Sequence, residues 1–315
     1  MRVNTLGAGL NREAFLGLAD VDAFVTWLVA NLPSLQVDLR VRASSFVPGG
    51  LEAQVTGIEA VQACYRWNGN WATVSQLLAT LRQELRTQLL AGDQEAAYKA
   101  CVAILDWGNV PSSAGYLDGL RQQGLLVQYL QDIAPLLSPA GNQRLSDLTR
   151  TAIPRFNSGL TKVHALLDDA GSPIYDGRVG AAIAMLYHLY RDSPAAVGDA
   201  DHRMFGWGPG YETPGADRQR QIRNPRLLAR GFNGTPQLLG HASPHIWARR
   251  QVILGWIMRA VLARSGLFRS EGVDLAGRCH MLESALFTLG YDLRCLVQDG
   301  WLIPDPVRTM RAKAL

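Results

Sequence analysis

The spacing of apolar residues after Trp71 constrains this chain most. Val74, Leu77, Leu78, Leu81, Leu85 and Leu89 recur at intervals of three and four, which puts one apolar stripe along a helix. That helix should end at Gly92-Asp93. Similar spacing predicts helices over 94–105, 115–133 (interrupted at Pro135), 142–153, 160–167, 178–191, 246–264 and 275–296. Ahead of Trp71, residues 12–32 read as one amphipathic helix stopped by Pro33. The period of two that marks a strand occurs only over 35–42, with a second short strand near 51–55 after the turn Pro48-Gly49-Gly50. The expected fold is mainly α with a small β element near residues 35–56. Residues 1–70 would hold an N-terminal helix and short strands. Residues 71–315 would form a helical domain, either separate from that segment or continuous with it.

Several classes fall away. No apolar run reaches the roughly 20 residues of a membrane span. The start, Met1-Arg2-Val3-Asn4, lacks a secretory pattern, so a cytoplasmic protein is expected. Cys64, Cys101, Cys279 and Cys295 are scattered with no Cys-x-x-Cys pair, and read as reduced thiols, with no metal motif and no cofactor expected. A net charge of +4 is too mild to identify a partner by itself. Only Lys99, Lys162 and Lys313 are lysines, against 28 arginines.

Residues 192–244 break the helical rhythm. They are rich in Gly, Pro and Asn, yet hold Phe205, Trp207, Tyr211 and Phe232, so a long ordered loop with a working role is expected. Within it Arg218, Arg220, Arg223, Arg226 and Arg230 surround Asn224-Pro225 with no acidic residue over 218–230. Such a run suits phosphate contacts, which position a nucleic acid and make binding salt-dependent.

The most informative segment runs from Phe156-Asn157-Ser158-Gly159-Leu160-Thr161-Lys162 to Ile174-Tyr175-Asp176-Gly177-Arg178-Val179. Lys162 falls in the first turn of a short apolar helix, where the helix dipole disfavours a cation. Asp176 falls at the N-cap of the next helix. His164, two residues beyond Lys162, is on a different face and reads as a packed or surface histidine. A lysine on one helix, then an apolar residue, Tyr, Asp and Arg-Val opening the next, resembles the helix-hairpin-helix DNA glycosylase superfamily. It is most similar to bacterial proteins with an 8-oxoguanine glycosylase-like fold, among them antiphage glycosylases acting on modified bases. Further similar strings are Ile104-Leu105-Asp106-Trp107-Gly108, Arg223-Asn224-Pro225 and Glu283-Ser284-Ala285-Leu286-Phe287-Thr288-Leu289-Gly290-Tyr291-Asp292. The chain departs from the superfamily's usual Gly-apolar-Gly hairpin at Ser158-Gly159-Leu160, and its Lys-to-Asp spacing of 14 residues is short.

The resemblance implies a helical glycosylase fold and N-glycosidic cleavage that leaves an abasic site. Asp176 would stabilise the oxocarbenium-like sugar or activate water, and Lys162 would assist or form a Schiff base, the monofunctional role being favoured. A flipped base needs an aromatic pocket, for which Trp107, Tyr175, Trp207, Tyr211 and Trp301 are candidates. Asn109 and Arg178 join the loop arginines and Asn224 as candidate DNA contacts. The expected partner is double-stranded DNA bound by a monomer. The expected substrate is a bulky hypermodified base, such as glucosylated hydroxymethylcytosine of phage DNA, excised as an antiviral defence. The alternatives are a repair glycosylase for oxidised or alkylated purines, a non-catalytic DNA-binding protein of the same fold, and a helical scaffold docking through the loop.

Overall fold

The computed structural model describes residues 9–197, 204–208, 221–228, 238 and 243–302. It is mainly helical, with a single small two-stranded antiparallel sheet among these residues. The N-terminal helix is two, α1 (Arg12–Leu16) and α2 (Ala19–Asn31). Gly17 closes α1 with its amide on the carbonyl of Glu13, and Leu18 takes the extended conformation that restarts the chain. Strands β1 (Gln36–Val41) and β2 (Leu51–Thr56) pair antiparallel with Leu39 opposite Ala53, and Val37, Leu39 and Val41 fill the core as the alternation predicts. A short α3 (Ile58–Ala63) follows, unheralded by any long periodic run.

Helices α4 (Trp71–Ala91) and α5 (Gln94–Trp107) are capped by Asn70 and Asp93, each accepting a backbone amide of the first turn. The single helix expected over 115–133 is α6 (Ala114–Gln122) and α7 (Leu126–Leu137), separated at Gly124, whose φ of 70° no helix allows. Pro135 lies inside α7 and does not interrupt it. Residues 142–153 carry only a 3-10 turn, Leu145–Asp147. There Asp147 accepts the amide of Arg144 and Thr149 that of Ala152, so short polar side chains take the groups a helix would use. Helices α8 (Leu160–Leu167), α9 (Gly177–Arg191) and α10 (Pro244–Arg264) fall close to expectation. α11 (Leu275–Leu289) stops earlier than predicted, at Gly290, and Asp292 then caps a separate 3-10 turn, Leu293–Leu296. A side chain at position 290 would collide with the backbone carbonyl of Arg178, so glycine lets α11 end against the start of α9.

The packing does not divide at residue 70. Phe15, Phe24, Val37, Leu39 and Ile58 of the N-terminal segment share one core with Tyr187, Trp256, Leu286 and Phe287 of α9–α11. A second core belongs to α4–α8, around Leu85, Cys101, Ile104, Leu117, Leu130, Leu160 and Val163. Trp107 and Tyr129 pack against both. Cys101, Cys279 and Cys295 are buried free thiols and Cys64 is half-buried. Among the described residues no helix is long and apolar enough to cross a membrane.

Candidate active site

Lys162 lies on α8 beside Val163 of the second core, Asp176 follows Tyr175 of the first, and the two side chains meet at the seam. α8 packs on α4, α5 and α7, whereas α9 packs on α2 and α11. The connection between α8 and α9 is held by a buried polar staple. The Thr161 hydroxyl donates to Gln251 Oε1 on α10 and accepts the amide of Tyr175 at 2.8 Å. Gln251 Nε2 donates to the Ser172 hydroxyl at 3.0 Å, and Trp247 Nε1 donates to the carbonyl of Tyr175 at 2.6 Å. The residues preceding both Lys162 and Asp176 are thereby fixed to each other and to α10. Such fully paired buried networks specify one arrangement.

Asp176 takes the extended N-cap conformation. Its Oδ1 accepts the amides of Arg178 at 2.9 Å and Val179 at 3.2 Å, which leaves Oδ2 toward the Lys162 ammonium at 3.5 Å. Lys162 bends back over its own first turn and donates to the carbonyl of Ser158 at 3.0 Å. The two residues are 5% and 6% exposed, so the pair is almost out of water but not sealed. Burial works to raise the Asp176 pKa, and Lys162, Arg178 and the two amides outweigh it and hold the carboxyl below its ordinary range. Burial lowers the Lys162 pKa, helped by Arg178 and opposed by Asp176.

Gly108 forms the wall on the other side of Lys162. A Cβ there would lie 2.5 Å from Lys162 Cδ and 2.7 Å from Cε. Gly108 has φ −77°, so alanine fits its backbone; the nearest atoms are the end of the flexible Lys162 side chain, and Val110 Cγ2 at 3.2 Å need give only slightly. Gly108→Ala is therefore expected to shift the melting temperature by no more than a few degrees while pushing the ammonium off Asp176. Thermal unfolding and an activity assay on the same sample read the two effects separately, and activity should fall tenfold or more.

Arg178 is gripped by aromatic rings, its guanidinium 4.8 Å from the centroids of Trp67, Phe287 and Tyr291. Trp67 stacks in parallel on Phe46 at 4.3 Å and donates to the carbonyl of Trp107, as does Asn68. The segment around residue 67 thus reaches the seam. It also lines an open pocket of about 600 Å³, bounded by Ser45, Phe46, Pro48, Arg66, Asn68, Gly69 and Asn70. Asn68 and Asn109, which flank this junction, both adopt left-handed backbone, which asparagine tolerates better than most residues.

The other expected site residues are distributed as follows. Trp107 is half-buried at the seam, its indole nitrogen buried without a hydrogen-bond partner, and Asn109 is exposed beside it. Tyr175 and Trp207, expected to line a base pocket, are core side chains, and the Tyr175 hydroxyl donates to the carbonyl of Gly206. Trp301 is held on β1 through the carbonyl of Asp38, with Arg40 and Arg294 over its ring. Arg223 is buried and donates to Gln221, Asn224 caps the 3-10 turn Pro225–Leu227, and Arg226 is exposed with its guanidinium over Trp207. Tyr211, Arg218, Arg220 and Arg230, with most of the expected 192–244 loop, lie outside the described residues. Ahead of α8, Asn157 Oδ1 accepts the amides of Gly159 and Leu160 at 3.0 Å, which takes up both of them.

Sequence reasoning missed Trp67 and Tyr65, and named Glu283 and Tyr291 only within a similar string, with no role for either. Glu283 was visible in principle as the one acid inside an apolar helical run, since an unpaired acid is seldom buried. Trp67 and Tyr65 precede the Asn-Gly-Asn turn and carry no periodic signal. Comparisons with protein-family models, with curated proteins and with solved structures found no match for this chain.

Proposed function

We propose that this chain is a DNA glycosylase that takes a modified or damaged base out of the duplex and cleaves its N-glycosidic bond, leaving an abasic site. The observation that carries the reading is the Lys162–Asp176 pair, nearly buried at the seam of two cores, with one Asp176 oxygen fixed by the α9 amides and the other toward the ammonium. A carboxylate kept ionised in a low-dielectric cleft suits the positive charge that develops on the sugar as the base departs. Seams between packed units are where binding clefts tend to form. The motif resemblance supplies the reaction class, and the aromatic groups beside the seam supply stacking surfaces for an unstacked base. Arg66 and the exposed Arg226 are cations suited to phosphate.

The substrate class we favour is a bulky hypermodified cytosine of phage DNA, with antiviral defence as the role of a monomeric, cytoplasmic enzyme. The open pocket beside Trp67 offers room for such a base. To test this, phage DNA carrying glucosylated hydroxymethylcytosine is incubated with the protein and probed for alkali-labile abasic sites. Strand breaks after alkali are expected for the wild type. Intact strands from this DNA, together with breaks in duplexes containing 8-oxoguanine or alkylated purines, would move the reading to repair. Intact strands throughout, with salt-dependent DNA binding retained, would leave a non-catalytic DNA-binding protein.

Lys162 Nζ is engaged by the Ser158 carbonyl and the Asp176 carboxylate, whereas a Schiff base requires an amine released from such partners. Borohydride treatment during turnover is therefore expected to trap no covalent adduct. A trapped adduct that disappears in Lys162→Ala would make the enzyme bifunctional.

A further inference from the structure

The polar staple between α8, α9 and α10 runs in one direction. Thr161 Oγ1 accepts the amide of Tyr175 at 2.8 Å, and its own proton goes to Gln251 Oε1. That fixes which way the Gln251 carboxamide faces, with Nε2 donating to the Ser172 hydroxyl at 3.0 Å. The Ser172 proton is directed in turn to the carbonyl of Leu137, the last residue of α7, at 3.4 Å. The Ser172 amide is held separately by Asp168, which follows the last turn of α8. Thr161, Ser172 and Gln251 are each 0% exposed, so the chain of bonds lies wholly inside the protein.

Buried polar groups that satisfy one another add little net stability over apolar side chains of the same shape. What such a chain adds is a single arrangement of the elements it joins. Here the arrangement concerns the ion pair. Thr161 immediately precedes Lys162 and Tyr175 immediately precedes Asp176, so the bond from the Tyr175 amide to the Thr161 hydroxyl ties the two segments one residue from each partner. The pair itself is not closed. Its 3.5 Å separation exceeds the 2.7–2.9 Å typical of a charge-assisted hydrogen bond, so mutual attraction has not pulled the ammonium onto the carboxylate. The backbone placement therefore sets the distance.

We propose that Thr161 and Gln251 are positioning residues of the site, whose hydrogen bond sets the placement of Lys162 opposite Asp176. Neither touches substrate. Gln251 acts through Thr161, and Ser172 keeps the Gln251 carboxamide in the orientation that leaves Oε1 toward the Thr161 hydroxyl. This rests on the glycosylase reading for the rate that it controls, but not for the placement itself.

The test has two arms. Lys162 is one of three lysines, so protein labelled with ¹³C at lysine Cε is simple to follow by NMR, with Lys162 assigned by the signal lost in Lys162→Arg. Asp176→Asn should lower the titration midpoint of Lys162. In a Thr161→Val background, which keeps the shape but removes the hydroxyl, this response should largely disappear. In a Thr161→Ser background, which keeps the hydroxyl, it should persist. In the second arm, single-turnover base release from glucosylated phage DNA should fall roughly 30-fold in Thr161→Val and in Gln251→Met, with DNA affinity unchanged. Thr161→Ser should recover most of the rate. Should Thr161→Val not fold, Ser172→Ala, which leaves the Thr161 bonds and frees only the far end of the carboxamide, is expected to weaken the Lys162 response and the rate in the same direction. A Thr161→Val protein that melts earlier but keeps both the Lys162 response and the wild-type rate overturns the proposal, as does a folded Ser172→Ala protein equal to wild type where Thr161→Val cannot be read. A Lys162 response lost in Thr161→Val and kept in Thr161→Ser, in a protein that releases no base from any DNA, would support the positioning and remove the glycosylase reading.

Discussion

Asp176→Asn is expected to reduce base release on the order of 10³-fold while leaving DNA binding intact. Asparagine is as good an N-cap as aspartate, so its side-chain oxygen can still accept the amides of Arg178 and Val179 and start α9. What disappears is the negative charge. Without it the main group offsetting the burial of Lys162 is gone, and the ammonium releases its proton more easily. Removing one partner of a buried ion pair costs about 3–5 kcal/mol, so the variant should also melt earlier while keeping its helical circular dichroism. The combination separates the roles, because a purely structural cap would lose nothing on this substitution. A variant that binds DNA as wild type does and releases base at the wild-type rate would remove Asp176 from the chemistry.

The second large effect concerns His164, on the face of α8 away from Lys162. Its ring lies flat on Phe156, 5.6 Å away at an interplanar angle of 5°, and neither ring nitrogen has a hydrogen-bond partner. Burial pushes its pKa down to about 3. In the unfolded chain the imidazole takes a proton near pH 6.5, so below that pH the unfolded state binds more protons than the native state. The stability that depends on neutral His164 is complete above about pH 6.5 and is lost as the pH falls toward 3. The slope is about 1.4 kcal/mol per pH unit, and the loss approaches about 5 kcal/mol at the end of the window. His164→Leu should be close to neutral at pH 7.5, because it removes two unsatisfied polar atoms from the core, and should be markedly more stable than wild type at pH 4.5. Urea midpoints at the two pH values measure this. Equal acid sensitivity in the two proteins would mean that His164 is not buried as a neutral ring.

Much of the scaffold was legible because helical spacing, N-caps and proline stops act locally. The six-residue apolar stripe of α4, its end at Gly92-Asp93 and the α8–α9 pair followed directly from residue order. The misread places were those where a single residue decides against a good pattern. Gly124 divides α6 from α7, Gly17 divides α1 from α2, and Asp147 and Thr149 draw the backbone of 142–153 into turns. Asp176 and Lys162 were visible as a motif, but their approach was not, since it depends on Thr161, Gln251 and Ser172, which are distant in sequence. The cage around Arg178 draws on residues 67, 287 and 291, and no spacing rule links them. Tyr175 and Trp207, candidates for a base pocket, proved to be core, Trp207 despite a segment with no helical or strand period, because a ring that can stack on a base packs equally well on its neighbours.

The most direct measurement of the central claim is mass spectrometry of the small molecules released when the protein is incubated with glucosylated phage DNA, run beside Asp176→Asn. The account predicts a free modified base from the wild type and none from the variant. A modified base released equally by both proteins, or none from this or any damaged DNA with the wild type, would contradict it.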